Sequence, residues 1–290
     1  MAYMDERLNI QWFPGHMTKA RRMIEENIKQ VDAVCEILDA RIPFSSRIPD
    51  VETLTAGKPR IIVLNRVDQA DPESTKKWSA WYRARGCAVL ETESKNGKGI
   101  NAFGGAVRGL LKDKLAGWAE KGQSGRAVKI MVLGIPNVGK SSFINRVSKR
   151  RAAEASDRPG VTRGKQWVTV DKSLLLLDTP GILWPKFENK LVGENLAFCG
   201  SIKDDVLDTM ALAANLLVRL RDLSPSGVQE RLKFVPEARM TGLEMLEMAS
   251  RKRGFLISGG EVDIERGAAV VLDEFRATRL GRVTLELPEA

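Results

Sequence analysis

Short apolar runs alternate with amphipathic stretches through the first two thirds of the chain. Helical periodicity begins at about Thr18, includes residues 78–85 and covers residues 100–115. Between these stretches lie five short runs typical of buried strands: residues 34–38, 60–64, 88–90, 128–133 and 174–177. The alternation predicts an α/β fold with a doubly wound, mostly parallel sheet, in which ligands bind at the carboxyl ends of the strands.

The pattern becomes entirely helical after about residue 185. Residues 206–220 are amphipathic, and the stretch from Thr241 to Glu244 is a capping box that opens a helix ending at Gly254. A further helix is predicted from Asp263 to Gly281. We therefore expect one domain over residues 1–185 and a small all-α domain, which binds RNA, over residues 186–290.

Composition adds a preference for an acidic partner. The 290 residues are 43% hydrophobic and 29% charged, as in ordinary globular proteins. The net charge of +9 favours nucleic acid over a membrane. Three widely spaced cysteines predict core thiols in a reducing compartment. The sequence shows neither a membrane-length apolar run nor a signal-like start, so we expect a cytoplasmic protein.

Residues 134–141 read Gly-Ile-Pro-Asn-Val-Gly-Lys-Ser, which is a complete phosphate-binding loop between a predicted strand and a helix. Two glycines allow a tight turn whose amides point at a phosphate, and the helix N-terminus adds its positive dipole end. Lys140 would reach the β- and γ-phosphates, while the Ser141 hydroxyl would bind Mg²⁺. The alternative is a plain glycine turn. The expected nucleotide-binding residues of this loop are Asn137, Val138, Gly139, Lys140, Ser141 and Ser142.

A second motif follows the strand at residues 60–64 and reads Asn65-Arg66-Val67-Asp68. Asn-Lys-x-Asp at such a place reads guanine, because the carboxylate accepts hydrogen bonds from the base N1–H and exocyclic amine. Arg66 replaces the usual lysine, and its planar guanidinium can still cover the base. Ser94 and Lys95 resemble a further motif that backs the base, although Glu93 departs from it. Taken alone, each of these is also ordinary turn chemistry.

Two more candidate motifs lie after the phosphate loop. Thr162, in the basic loop at residues 157–164, resembles the switch threonine that binds Mg²⁺ and senses the γ-phosphate. Residues 178–181 read Asp-Thr-Pro-Gly after an apolar strand. Asp178 would hold Mg²⁺ through water, and the Gly181 amide would meet the γ-phosphate.

All these motifs belong to GTPases, but here the guanine-reading ones precede the phosphate loop. The chain therefore resembles circularly permuted GTPases of the YlqF/RbgA family. The resemblance covers nearly the whole chain. It implies slow GTP hydrolysis stimulated by ribosomal particles, assembly of the large ribosomal subunit, large-subunit rRNA as partner, Mg²⁺ as cofactor and a monomer that binds no membrane. Its signatures are residues 12–17, 39–43, 134–141 and 275–285.

Two residue roles rest partly on this resemblance. Ile182 follows Gly181, where many GTPases have a water-orienting glutamine, so another group must position the nucleophile. The resemblance and the permutation favour His16, the only histidine, as that group. The alternative is that His16 packs with neighbouring aromatics or contacts RNA. Asn137 resembles the asparagine that helps hold K⁺ in related loops, and its alternative role is to cap a backbone group.

Two classes of function stay open from the sequence. One is an RNA-bound GTPase switch in ribosome assembly. The other is a nucleotide-gated module that binds RNA or protein and has negligible hydrolysis of its own. A measurement of GTP turnover with and without ribosomal particles distinguishes these two classes of function.

Overall fold

A computed structural model of the chain describes residues 17–55, 57–148, 166–181, 183 and 189–289. Within these residues a six-stranded sheet has the order β3-β2-β1-β4-β6-β5. Every neighbouring pair is parallel except β5 and β6, which are antiparallel. The doubly wound, mostly parallel sheet expected from the sequence is therefore confirmed. Its strands are β1 (Ala33–Asp39), β2 (Arg60–Asn65), β3 (Ala88–Thr92), β4 (Val128–Leu133), β5 (Gln166–Asp171) and β6 (Leu174–Asp178).

The edge strand β5 has no counterpart among the predicted apolar runs. Val168 is its only buried residue, and the other positions are exposed or half-buried. A strand at the edge of a sheet needs no continuous apolar run, because one side has no neighbouring strand to pack beside. Its sequence pattern therefore differs from that of the buried strands.

The central pair of strands, β1 and β4, marks the point where the winding of the sheet reverses. From β1 the chain proceeds outward through β2 to β3, whereas β4 is followed by strands on the other side. Loops that leave the carboxyl ends of such a pair diverge and open a crevice, which is where open α/β sheets bind ligands. The crevice here lies between the loop that follows Asp39 and the loop that follows Leu133.

Six helices accompany the sheet in the described residues: α1 (Met17–Asn27), α2 (Val51–Leu54), α3 (Pro72–Ala84), α4 (Phe103–Leu110), α5 (Lys112–Glu120) and α6 (Lys140–Val147). The single helix predicted over residues 100–115 is instead a 3-10 turn followed by α4 and α5. The break falls at Leu111, which has non-helical angles of φ −104° and ψ 18°. Gly109 just before it lowers helix propensity, and the buried Leu111 side chain holds the bend.

The C-terminal region is helical, as predicted. The capping box of Thr241 and Glu244 is present, and Asp263 caps the last helix by accepting a hydrogen bond from the Arg266 amide. That helix ends at Arg276 and not at Gly281, since Thr278 adopts a left-handed conformation with φ 64°. The helices are α7 (Lys190–Phe198), α8 (Thr209–Leu223), α9 (Pro225–Leu232), α10 (Gly242–Lys252) and α11 (Ile264–Arg276).

One buried apolar cluster runs from the sheet into the helical region. It includes Ile130 and Phe143 beside the phosphate loop as well as Leu212 and Phe275 of the C-terminal helices. A second, smaller cluster packs β1 and β2 against α3, around Trp78. The domain boundary between residues 185 and 186 remains a prediction. None of the helices in the described ranges is long and apolar enough to cross a membrane.

After α11 the chain returns to the sheet as an extended segment, residues 282–289, which we call the C-terminal strap. The amide of Leu285 donates to the Arg41 carbonyl at 2.8 Å, just beyond the end of β1. Trp78 of α3 donates its indole N–H to the Glu286 carbonyl at 3.0 Å. The strap therefore joins the helical region to the carboxyl end of the sheet, where the ligand crevice lies.

Candidate nucleotide site

The loop after β4 has the shape that a phosphate-binding loop needs. Asn137 and Gly139 have positive φ angles of 63° and 96°, and α6 begins directly afterwards at Lys140. A Cβ atom on Gly139 would lie 2.3 Å from the Asn65 amide nitrogen, and one on Gly134 would lie 2.9 Å from the Ile37 carbonyl oxygen. Larger residues would displace the neighbouring strand end or the guanine motif, so the glycines allow the close approach.

Lys140 is almost buried and is held by the segment that follows β6. Its ammonium lies 2.7 Å from the Asp178 carboxylate and also donates to the Thr179 carbonyl. Thr179 in turn donates its hydroxyl to the Val132 carbonyl at 2.7 Å, which fixes this segment to β4. The lysine and the carboxylate expected near the phosphates and Mg²⁺ therefore meet directly. Ser141, half-buried, follows Lys140 at the start of α6.

Asn65 connects the guanine motif to the other parts of the site. Its side-chain amide nitrogen donates to the Val138 carbonyl in the phosphate loop at 2.7 Å. Its side-chain oxygen accepts from the Ser94 amide at 3.0 Å and from the Thr92 hydroxyl at 3.2 Å. Because Asn65 is buried, this network fixes the relative positions of the two guanine-side segments and the phosphate loop.

Arg66, which stands where GTPases usually have lysine, makes two bridging contacts. Its guanidinium donates to the Asn137 carbonyl in the phosphate loop and to the Asp39 carboxylate, the latter at 3.2 Å. Asp39 also binds the buried Arg41 through two side-chain hydrogen bonds of 3.0 and 2.8 Å. Although burial opposes ionisation, the two guanidinium groups lower the pKa of Asp39. The site thus contains a buried carboxylate that holds Arg66 in place.

The signature at residues 39–43 pointed to Asp39 and Arg41 without giving them a role. The structure supplies one, because Asp39 aligns the arginine of the guanine motif. A buried charge needs a fixed partner, and a bidentate arginine provides it. The aspartate of the signature therefore supports the geometry of the candidate nucleotide site.

The residues expected around the base are partly exposed and partly buried at this edge. Asp68 is exposed within the turn after β2, and Lys95 is exposed in the loop after β3. Ser94 is buried, and its hydroxyl has no hydrogen-bond partner among the described residues. The Lys95 carbonyl accepts a hydrogen bond of 2.6 Å from Arg146 of α6. Ser142, next to Ser141 on the same helix, is exposed.

Asn137 and Gly181 bring two further segments to the phosphate loop. The side-chain amide of Asn137 donates to the Gly200 carbonyl, just after α7, at 2.9 Å. Gly181 is exposed, and a Cβ atom there would lie 3.0 Å from the backbone of Pro136. The loop that would bind phosphates therefore touches both the end of the Asp178–Gly181 motif and the helical region.

His16, Thr162 and Ile182 lie outside the described residues, so their roles remain expectations. Among the residues that are described, no group of three or more His, Cys, Asp or Glu side chains is suited to holding a metal ion by itself. Mg²⁺ beside phosphates is usually held through one or two protein oxygens, the nucleotide and water. The three cysteines are buried, as expected, and burial raises the pKa of Cys199 to about 12.

The basic residues of the helical region are largely paired within the protein. Arg231 and Arg253 both bind the buried carboxylate of Glu274, at 2.6 and 2.7 Å. Arg219 donates to the Leu285 carbonyl in the C-terminal strap, and Arg221 donates to backbone carbonyls at residues 238 and 240. These arginines have structural partners, whereas Lys233 and Lys252 are exposed lysines.

Comparisons with known proteins agree with this geometry. A family model described as a 50S ribosome-binding GTPase matches residues 129–235, which include the phosphate loop. Ribosome biogenesis GTPase A of Bacillus licheniformis is 44% identical over 282 residues, covering 97% of this chain and 99% of that protein. Its namesake from Thermotoga maritima is 33% identical over 280 residues, covering 97% and 95%.

Solved structures lead to the same relatives. A crystal structure of GNP-bound YlqF from T. maritima superposes with a TM-score of 0.65 at 29% identity, covering 93% of this chain and 99% of that one. A GDP-bound YlqF structure gives a TM-score of 0.66 at 28% identity, covering 93% and 100%. The agreement extends over nearly the full length of both chains, through the sheet and the helical region alike. The chain belongs to the ribosome biogenesis GTPase A family.

Proposed function

We propose that this protein is a GTP-hydrolysing switch that acts in assembly of the large ribosomal subunit and binds its rRNA. The observation that carries the proposal is the hydrogen-bond network of Asn65, which joins the guanine motif to the phosphate loop across the sheet edge. The relatives are named for ribosome biogenesis, and the chain carries a net charge of +9. The family relationship supports hydrolysis as well as binding.

Guanine would bind against Asn65, Arg66, Asp68, Ser94 and Lys95. Asp68 is exposed in its turn, where its carboxylate can accept two hydrogen bonds from the base. The phosphates would bind the backbone amides at residues 137–139, Lys140 and the hydroxyls at residues 141 and 142. The start of α6 adds its positive dipole end to the same anion.

Mg²⁺ would be held by Ser141, Asp178 and Thr162 together with phosphate oxygens. The donor set fits a hard cation, because it combines hydroxyl groups with one carboxylate. Bound Mg²⁺ would neutralise charge on the β- and γ-phosphates. K⁺ would bind the side-chain oxygen of Asn137, the other end of the amide that donates to Gly200. Its positive charge would offset the negative charge that develops between the β- and γ-phosphates, as an arginine side chain does in other GTPases.

Hydrolysis would depend on Lys140, Gly181, Thr162 and His16. Lys140 stabilises charge on the transferring phosphoryl group, and the Gly181 amide donates to the γ-phosphate. Thr162 senses that phosphate, and His16 orients or deprotonates the attacking water. The chain has no glutamine after Gly181, so His16 would take over the role of orienting water. GTP turnover would be slow until a ribosomal particle positions His16 beside the γ-phosphate.

Multiple-turnover GTP hydrolysis tests the proposal, measured alone, with large ribosomal subunits, and with small subunits as the matched control. We expect stimulation by large subunits only, and no hydrolysis of ATP. Equal stimulation by small subunits would contradict the assignment to the large subunit. No turnover under any condition would favour the alternative, a nucleotide-gated binding module. Pull-down of ribosomal particles in GTP and in GDP then identifies the state that binds.

A further inference from the structure

The C-terminal strap makes a row of hydrogen bonds to the turn that carries Asp68. Arg282 donates from Nη2 to the Val67 carbonyl at 2.7 Å and from Nε to the Ala70 carbonyl at 3.0 Å. The next residue, Val283, donates its amide to the Gln69 carbonyl at 3.2 Å. A single arginine side chain thus binds the backbone on both sides of Asp68.

Two further backbone hydrogen bonds hold this turn. The Gln69 amide donates to the Arg66 carbonyl at 2.9 Å, and the Val67 amide reaches the Thr92 carbonyl at 3.3 Å. The backbone of Arg66 is in a left-handed conformation with φ 63°. Residues other than glycine rarely adopt this conformation unless surrounding contacts hold it. The orientation of Asp68 therefore depends on contacts from outside the turn, and Arg282 supplies two of them.

The position of Arg282 is itself set by the helical region. In the same strap the Glu286 carboxylate accepts hydrogen bonds from the Ser45 hydroxyl at 2.6 Å and from the side-chain amide of Asn195 in α7 at 3.0 Å. Arg219 of α8 donates to the Leu285 carbonyl. Two helices of the C-terminal region therefore hold the strap that holds the guanine turn.

Arg282 also contributes to the electrostatic surroundings of Glu93, in the other segment on the guanine side. The pKa of Glu93, next to Ser94, is lowered first by its hydrogen bond with Lys98 and further by nearby positive charges that include Arg282. One residue of the strap thus contacts one of the segments expected to surround the base and affects the charge of the other.

We propose that Arg282 is a positioning residue for guanine recognition, which fixes the turn at residues 67–70 so that Asp68 faces the base. The C-terminal strap is then part of the guanine site. The inference rests on the proposed function, in which Asp68 accepts hydrogen bonds from N1–H and the exocyclic amine of guanine. A bidentate contact of this kind is sensitive to the angle of the carboxylate, so a loosened turn weakens it.

The test measures equilibrium affinities of GDP, IDP and ADP for the full chain and three variants. Inosine lacks the exocyclic amine, so IDP reports on the loss of one of the two Asp68 contacts. Arg282→Ala is expected to weaken GDP binding roughly tenfold, the size of one or two lost hydrogen bonds. IDP should weaken less and ADP hardly at all, so the preference for GDP over IDP narrows. Arg282→Lys, which lacks the planar fork, should give an intermediate result.

Arg279→Ala is the matched control, because Arg279 is an exposed arginine three residues earlier and should leave all three affinities unchanged. If Arg282→Ala binds GDP as the parent does, the inference is wrong. An equal loss for GDP, IDP and ADP also overturns it, because the effect would then be general damage to the site. If Arg282→Ala does not fold, as judged by thermal unfolding, the same ratios in Arg282→Lys decide. A parent that binds GDP and ADP equally overturns the proposed function itself.

Discussion

The ammonium of Lys140 lies 2.7 Å from the carboxylate of Asp178, and both side chains are nearly buried. The two residues come from different motifs, one at the start of α6 and the other at the end of β6. In the nucleotide-bound protein the first would bind phosphate and the second Mg²⁺. We expect binding to replace this internal ion pair with contacts to the ligand, which would couple the Asp178–Gly181 segment to occupancy of the phosphate loop.

Asp178→Asn tests this exchange. The amide cannot supply the negative charge that favours Mg²⁺. The gain in GTP affinity on adding Mg²⁺ should therefore be about 10- to 100-fold smaller than in the parent. GDP affinity in EDTA should be retained or increased, because Lys140 loses the carboxylate that competes with phosphate. Titrations of GTP and GDP with Mg²⁺ or EDTA measure both effects. Asp171→Asn on the exposed strand β5 is the control. A variant that gains as much from Mg²⁺ as the parent would remove Asp178 from the metal site.

Asp68→Asn should weaken GTP binding by about 1.5–3 kcal/mol, because a neutral amide replaces a charged acceptor. The asparagine can donate to a carbonyl at position 2 of the base, so xanthosine triphosphate should bind the variant better than it binds the parent. Competition titrations with GTP, xanthosine triphosphate and ATP measure the change. If the unmutated protein binds GTP and ATP equally well, Asn65 and Asp68 do not read guanine.

The sequence predicted the parts of this site that depend on local chemistry. The phosphate loop, the Asn65–Asp68 motif and the Asp178–Gly181 motif each lie at the end of a short apolar strand, and the three strands are parallel members of one sheet. Residues at the carboxyl ends of parallel strands must meet at one edge, so their proximity followed from strand order alone. The capping box at Thr241 was equally local and was equally well predicted.

The contacts between distant segments were not predictable in this way. Arg282 lies in an extended stretch without periodicity, and nothing in its sequence surroundings indicates that it binds Val67, 215 residues earlier. The same holds for Arg231 and Arg253, whose shared partner Glu274 is 43 and 21 residues away in the sequence. An arginine on an amphipathic helix has the same pattern whether it faces solvent or a buried carboxylate. The difference comes from the packing of the helices.

Glu274→Gln should destabilise the helical region in a pH-dependent manner. Glu274 is buried, and although burial opposes ionisation, its hydrogen bonds with Arg231 and Arg253 lower its pKa below the usual 4.5. A lowered pKa contributes stability that is present above about pH 4.5 and is lost as the pH falls through the folded-state value. At neutral pH the substitution should cost about 1–3 kcal/mol, allowing for the partial exposure of both arginines.

Urea unfolding of the parent and of Glu274→Gln between pH 7 and pH 3.5 measures this loss. The difference in the free energy of unfolding should narrow below pH 4.5. Glu247→Gln is a suitable control, because Glu247 pairs with Arg251 on the exposed face of α10 and should contribute less than about 0.5 kcal/mol. A constant difference at all pH values would mean that Glu274 acts through its shape and not its charge.

Potassium dependence tests the side chain of Asn137. If its oxygen helps bind K⁺ beside the phosphates, GTP hydrolysis should be faster in KCl than in NaCl at equal ionic strength, and Asn137→Ala should remove the difference. The same variant loses the hydrogen bond to Gly200, so its thermal stability is measured in both salts. Equal rates for the parent in KCl and NaCl would reject the cation role and leave Asn137 as a link between the phosphate loop and the helical region.

His16→Ala should reduce kcat by roughly 10²- to 10⁴-fold with little change in GTP affinity, the range expected for a group that orients or deprotonates water. The reason lies in the sequence after Gly181, where Ile182 and Leu183 cannot hydrogen-bond to water. In a permuted chain we expect the N-terminal arm to enter the sheet near the break from which that segment leaves, and this would bring His16 within reach of the γ-phosphate. Turnover is measured on the assembling ribosomal particle, with nucleotide affinity measured separately.

His16→Gln distinguishes the two roles, because glutamine can orient water but cannot accept its proton. Partial recovery of kcat indicates that His16 orients water, and a rate as low as that of the alanine variant indicates proton transfer. An alanine variant that hydrolyses GTP at the parent rate would assign His16 to packing or RNA contact.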